Sequence, residues 1–208
     1  MRRFRFWPQM ALVLTVAVMN GGCILIPEIK DRLVELAVSG TTSAVFTVQG
    51  SSTSVDETTV VDVGADLDLA KVLADAGIDV SQVTHVALSG VPYRILRADP
   101  DASREILNGA ITIQRAGGTV ENLVSGLSAA PGAVSGYQTV TLDPAGVGVV
   151  NQMLDDILAA LPGAPANGSA TFHLTGETTS NTGNPTDFDF ELKITVSITG
   201  KITVSVPA

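Results

Sequence analysis

Sulfur and aromatic chemistry are nearly absent from this 208-residue chain, which has one cysteine, one tryptophan, two tyrosines and two histidines. With Cys23 alone, no disulfide can form within the chain, so the fold must rest on an apolar core. His85 and His173 stand apart from any cysteine or carboxylate in sequence, which removes the usual metal-ligand spacings. Besides Trp7 and the phenylalanines, only Tyr93 and Tyr137 are aromatic, and glycan sites generally stack sugar rings on exposed aromatics. Positive charge is also short: 12 basic residues face 21 acidic ones, a net charge of −9, and such a surface repels nucleic acid. Glycine-rich phosphate loops of the dinucleotide or Walker type are missing. So is the G-x-S-x-G nucleophile elbow, whose nearest approach, Gly126, Leu127, Ser128 and Ala130, runs into a loop with Pro131 instead of a helix. No convergent acid, base and nucleophile emerge, so neither an enzyme nor a cofactor is expected.

What the chain does have begins at its N-terminus. Arg2, Arg3 and Arg5 form a basic start, Met10 to Met19 are apolar except for Thr15, and Gly21 and Gly22 lead into Cys23. This is the layout of a bacterial export signal, and because it ends at the sole cysteine it resembles a lipoprotein signal peptide. Such signals favour Leu three residues before the cysteine, where this chain has Asn20. The resemblance covers residues 1–22 as signal and 23–31 as lipidated cysteine and short tether. It implies lipid attachment at Cys23 and membrane anchoring; with Ile24 following the cysteine instead of Asp, it also implies the outer membrane if the host has one. An uncleaved anchor and an ordinary cleaved signal are the competing readings of the same stretch. A spanning helix needs roughly 20 apolar residues and a signal core about 7 to 15. Removing residues 1–22 leaves 186 residues with 9 basic against 21 acidic, a net charge of −12, and that length suits one domain, 32–208.

Most of that domain alternates with period two. Val34, Leu36 and Val38, then Ala44, Phe46 and Val48, predict two strands joined by a turn at Gly40, Thr41 and Thr42 that sets Val38 opposite Ala44. Val55 to Val63 is a third strand. From Gln82 to Arg97 the apolar phase slips at Ser89, Gly90 and Pro92, which predicts a bulge or bend at a sheet edge. Leu107, Gly109, Ile111 and Ile113 form a further strand, Thr119 to Leu127 a weaker one, and ADPDA at 98–102 a turn. At the C-terminus Phe188 to Val206 keep every apolar residue at an even number. This predicts one strand of some 20 residues bending at Gly200 and serving two sheets, with Phe172 and Leu174 starting its neighbour.

Two helices interrupt the strands. Asp66 is the expected N-cap of the first, with Leu69, Val72, Leu73 and Ala76 on one face and Gly77 at its end. Asp143 and Pro144 start the second, whose apolar face is Val147, Val150, Leu154, Ile157, Leu158 and Leu161, with Asn151, Gln152, Asp155 and Asp156 opposite and Pro162 and Gly163 stopping it. GAPANGS at 163–169 is the most linker-like segment.

The expected fold is all-β at the α+β margin: an antiparallel sandwich or partly closed barrel of about eight or nine strands with two inserted amphipathic helices. The leading functional expectation is a non-enzymatic envelope lipoprotein with a structural or protein-interaction role, its partners being the membrane and an envelope protein. The alternative is a carrier of an apolar ligand held between Val147, Val150, Leu154, Ile157 and Leu158 and a curved sheet, although any packed helix shows the same periodicity. Asp187, Asp189 and Glu191 share one face of the last strand and could serve calcium. Calcium loops normally bring their ligands by turns and glycines, so a solvated sheet face is the stronger reading.

Overall fold

A computed structural model describes residues 31–161 and 168–205. The N-terminal segment with Cys23, the stop signals Pro162 and Gly163 and most of the 163–169 connection lie outside them. Eight strands, β1 (Asp31–Gln49), β2 (Ser54–Asp62), β3 (Val83–Gly90), β4 (Tyr93–Arg97), β5 (Glu105–Arg115), β6 (Val120–Ala129), β7 (Ser169–Thr179) and β8 (Asp187–Ser205), build two four-stranded antiparallel sheets. In the first, β8 lies between β1 and the β3 and β4 pair; the second runs β2-β7-β5-β6. The sheets form a sandwich and do not close into a barrel.

The expected single C-terminal strand is present as β8, 19 residues long. Its even-numbered side chains from Phe188 to Ile198 are all fully buried. Burying each such side chain contributes roughly 1.5–3 kcal/mol, so this one strand anchors the core. Phe190 packs edge-on to Phe46 at 6.0 Å and stacks on Tyr93 at 5.1 Å. Gly200 remains inside the strand, paired with Leu36 and Val83, and the Ile78 side chain fills the space of its missing Cβ.

Four expectations about the strands need correction. The first two predicted strands are one, β1, paired with β8 in an unbroken register that sets Val38 opposite Ile198 and Ala44 opposite Leu192. Gly40 is not a turn residue: its Cβ position lies 2.5 Å from Leu67, so glycine is there to admit that side chain. β8 belongs to one sheet only, because β1 pairs with its whole length. Phe172 and Leu174 lie in β7, which pairs with β2 and β5 in the other sheet, so 180–186 crosses the sandwich. Finally, Ile106, not Leu107, is buried: Asn108 adopts φ +52 and the register slips before Ala110, which moves the apolar phase by one residue.

The first helix starts earlier than expected and is broken in two. Asp62 caps α1 (Val63–Leu67) by accepting from Ala65 N at 3.1 Å, which leaves Asp66 inside its first turn. Asp68 turns left-handed at φ +42 and caps α2 (Leu69–Asp75) through Lys71 N. Gly77, at φ +68, ends α2 as expected; Gly77 N donates to Ala74 O and Ile78 N to Leu73 O, a left-handed termination that favours glycine. A single 3-10 turn at Val80–Gln82 leads into β3. α3 (Pro144–Ala160) begins as expected, with Asp143 accepting from Ala145 N at 3.0 Å, and it packs on β3, β5 and β6.

One end of the sandwich is tied by a buried arginine. Arg104 and Asp99 have fully buried side chains, with Nε 3.3 Å from Asp99 Oδ2, an ion pair off the hydrogen-bond line. Arg104 also donates to Ser52 O, Asn184 O and Pro185 O, while Asp99 accepts from Asp101 N and Asp187 N. The β1–β2 corner, the 98–104 turn and the crossing loop are thereby pinned together.

Candidate functional site: the charged outer face of the first sheet

Because the even positions of β8 fill the core, its odd positions point outward, and Asp187, Asp189 and Glu191 therefore share the outer face. The structure brings all three to basic partners from β4. Arg94 lies opposite Glu191 and Arg97 opposite Asp189. Strict alternation would put Arg94 and Arg97 on opposite faces, but the register slips between Ile95 and Arg97, and this bulge turns both guanidinium groups outward.

Arg97 forms a two-pronged contact with Asp189, Nε to Oδ2 at 3.0 Å and Nη2 to Oδ1 at 3.1 Å. It also reaches Asp187 Oδ1 at 2.8 Å. Arg94 Nε donates to Glu191, and Tyr137 OH donates to the same carboxylate at 2.9 Å. The Tyr137 ring carries two cations, the Arg94 guanidinium at 4.6 Å and Lys193 Nζ at 5.0 Å, an arrangement favoured by the ring's negative face. Burial pushes Glu191 up, and hydrogen bonds from Arg94, Ser43 and Tyr137 more than offset it, leaving its carboxyl below the usual range. Hydrogen bonds from Arg97 and Gln49 hold Asp187 low, and the Asp189 and Asp187 carboxylates raise Arg97. Chemically this is a set of neutralised charges on a firm surface. A cation would have to displace Arg97 to reach Asp187 and Asp189. Among the described residues no group of three or more His, Cys, Asp or Glu is arranged to hold a metal.

The helix face named from sequence is distributed differently. Val150, Leu154 and Ile157 are buried in the common core, together with Gly146 and Met153, while Val147 and Leu158 are half-buried. Asn151, expected to face solvent, accepts a hydrogen bond from Leu88 N at 2.8 Å and so caps the margin of β3. His173 meets the exposed Asp56 at 2.6 Å on the outer face of the second sheet, and His85 is exposed on β3. A groove of about 310 Å³ runs between β6 and the 138–141 segment, lined mostly by polar groups including Tyr93, Ser125, Ser128 and Gln138. Cys23 lies outside the described residues.

Sequence reasoning missed Arg94, Arg97, Tyr137 and Lys193. Two arginines three apart flanking Ile95 are a weak hint, and only the bulge makes them neighbours. No family model, curated protein or solved structure matches this chain. Among the described residues no helix is long and apolar enough to cross a membrane.

Proposed function

We propose that this protein is a non-enzymatic lipoprotein of the cell envelope, exported and held by lipid on Cys23, whose sandwich has a structural or protein-interaction role. In a host with two membranes its place is the outer one. The observation that carries the reading is the outer face of the first sheet. There the carboxylates, arginines and Tyr137 engage one another as a polar surface of paired charges, the kind of face a protein partner can meet. The basic start, apolar run and terminal Cys23 of the N-terminal segment support the anchor, and the seven residues between Cys23 and Asp31 keep the domain close to it.

Intact mass of the protein recovered from host membranes, beside a Cys23→Ser variant, tests the anchor. The expected mass lacks residues 1–22 and carries a diacylglycerol and an acyl chain on Cys23, both lost in the variant. An intact chain, or one cut without lipid, overturns it. Crosslinking in envelopes should recover a specific partner, and melting should not move with added fatty acids. A ligand-dependent rise in melting temperature would favour the apolar-carrier alternative by mass action.

A further inference from the structure

The hydrogen bonds of β8 reveal which backbone groups β1 leaves free. Thr195 O and Thr199 O accept from Ser89 and Thr84, and Lys193 N donates to Pro92 O, so odd residues of β8 turn their backbone toward β3 and β4. Bonding alternates along an antiparallel pair, so even residues of β8 serve β1 through pairs such as Gly40 with Val196 and Thr42 with Ile194. The odd residues of β1, from Glu35 to Thr47, then turn N–H and C=O away from the sheet. The same alternation accounts for Leu88, opposite Val196, sending its N–H outward to Asn151, and for Tyr93, opposite Leu192, exchanging bonds with Gln138.

Among the described residues no backbone bond meets that free edge. Sheet edges are ordinarily blunted by charge, proline, bulges or cover, and the other three here are. β2 carries Asp56, Glu57 and Asp62; β3 and β4 have three slips, Pro92 and the 135–138 cover; β6 is covered near 123–124 by Leu142 and Asp143. β1 has an unslipped register and, from 36 to 48, neither a charge nor a proline.

We propose that β1 is a self-association edge: two copies pair antiparallel along it and join their first sheets into one. Only odd residues offer bonds, so odd must face odd, and the register that uses the whole set pairs Glu35 with Thr47 and places Thr41 on the two-fold axis. That register opposes no like charges and spans about 40 Å of strand. An edge whose sole charge from 35 to 47 is Glu35, set opposite Thr47 in a self-complementary register, selects a second copy over a charged peptide. The net charge of −9 repels the two copies at a distance, so association strengthens as salt screens it. This goes beyond the proposed function and holds whether or not Cys23 is lipidated.

Sedimentation velocity of the full chain in mild detergent, as wild type and as Cys23→Ser, tests it. Both should show a dimer whose fraction rises with protein concentration and with salt. Thr41→Pro removes an outward N–H without touching a β8 bond, and proline is tolerated there. Thr41→Lys sets two like charges on the axis. Each should return a monomer with an unchanged far-ultraviolet spectrum, while Val60→Lys on the outer face of β2 leaves the dimer intact. If Thr41→Pro unfolds, Thr41→Lys decides alone. A monomer under all conditions, a dimer indifferent to the Thr41 variants, or one abolished by Val60→Lys overturns the proposal.

Discussion

Along the side where β3, β4 and β6 lie, backbone groups at the sheet margins are met from outside the sheets. Asn151 takes the N–H of Leu88, Gln138 exchanges two bonds with Tyr93, Ser135 takes the N–H of Ile95 and Asp143 donates to Leu123 O. α3 and the 135–143 segment thus close that side, joining the margin of one sheet to that of the other. Along the opposite side β1 turns into β2 through the corner at 50–53, among the described residues no backbone bond joins the two strands, and β1 turns the odd-numbered backbone of a 19-residue strand outward. Both sides bury the same kind of apolar face. They differ in how the backbone is satisfied, and since an unmet buried polar group costs far more than a hydrated one, the contrast separates the part of the molecule built to be finished from the part left accessible.

That contrast can be broken at its strongest point first. Arg104 holds the corner of the open side, so Arg104→Ala should strand Asp99 in the core and lower stability by about 3–5 kcal/mol, read by urea denaturation. On the closed side Asn151→Leu keeps the helix but leaves Leu88 N–H unpaired, an expected loss of about 1–3 kcal/mol. Acid should act next. Asp101 is held well below its ordinary range by hydrogen bonds from Ser103, Ser180 and Thr182, and Asp187 and Glu191 are also lowered. A carboxylate lowered in the fold contributes its full stability above its unfolded pKa of about 4 and loses it as pH falls. Melting temperature should therefore drop as pH falls below about 4, and less steeply in Asp101→Asn. The smallest effect belongs to the open edge: Ala37→Lys, exposed on β1, should change the stability of the monomer by no more than about 0.5 kcal/mol, as seen in dilute samples.

The same comparison explains what the residues disclosed in advance. β8 and α3 were legible because each carries a long uninterrupted period, two for the strand and 3.6 for the helix, with Asp143 and Pro144 marking the helix start. β1 reads as a hairpin in sequence because Gly40, Thr41 and Thr42 look like a turn; what that glycine leaves room for, the Leu67 side chain, comes from a distant helix. Pairing of β7 with β2 and β5, and not with β8, depends on which sheet each strand joins, and local alternation carries no such information. The outer-face carboxylates were visible as a row on β8, but their partners were not, since the bulge after Ile95 decides where Arg97 points. Arg104 was hidden for a related cause: an arginine after a turn rich in Asp reads as solvated until the crossing loop folds over it.

Amide hydrogen exchange resolved along β1 tests the account most directly. At low protein concentration the even amides, such as those of Gly40, Thr42 and Ala44, should be protected by β8 while those of Ser39, Thr41 and Ser43 exchange freely. At high concentration the odd amides should gain protection and the even ones should change little. Odd amides protected even in dilute samples, or unprotected at every concentration, would contradict an open edge that a second copy covers.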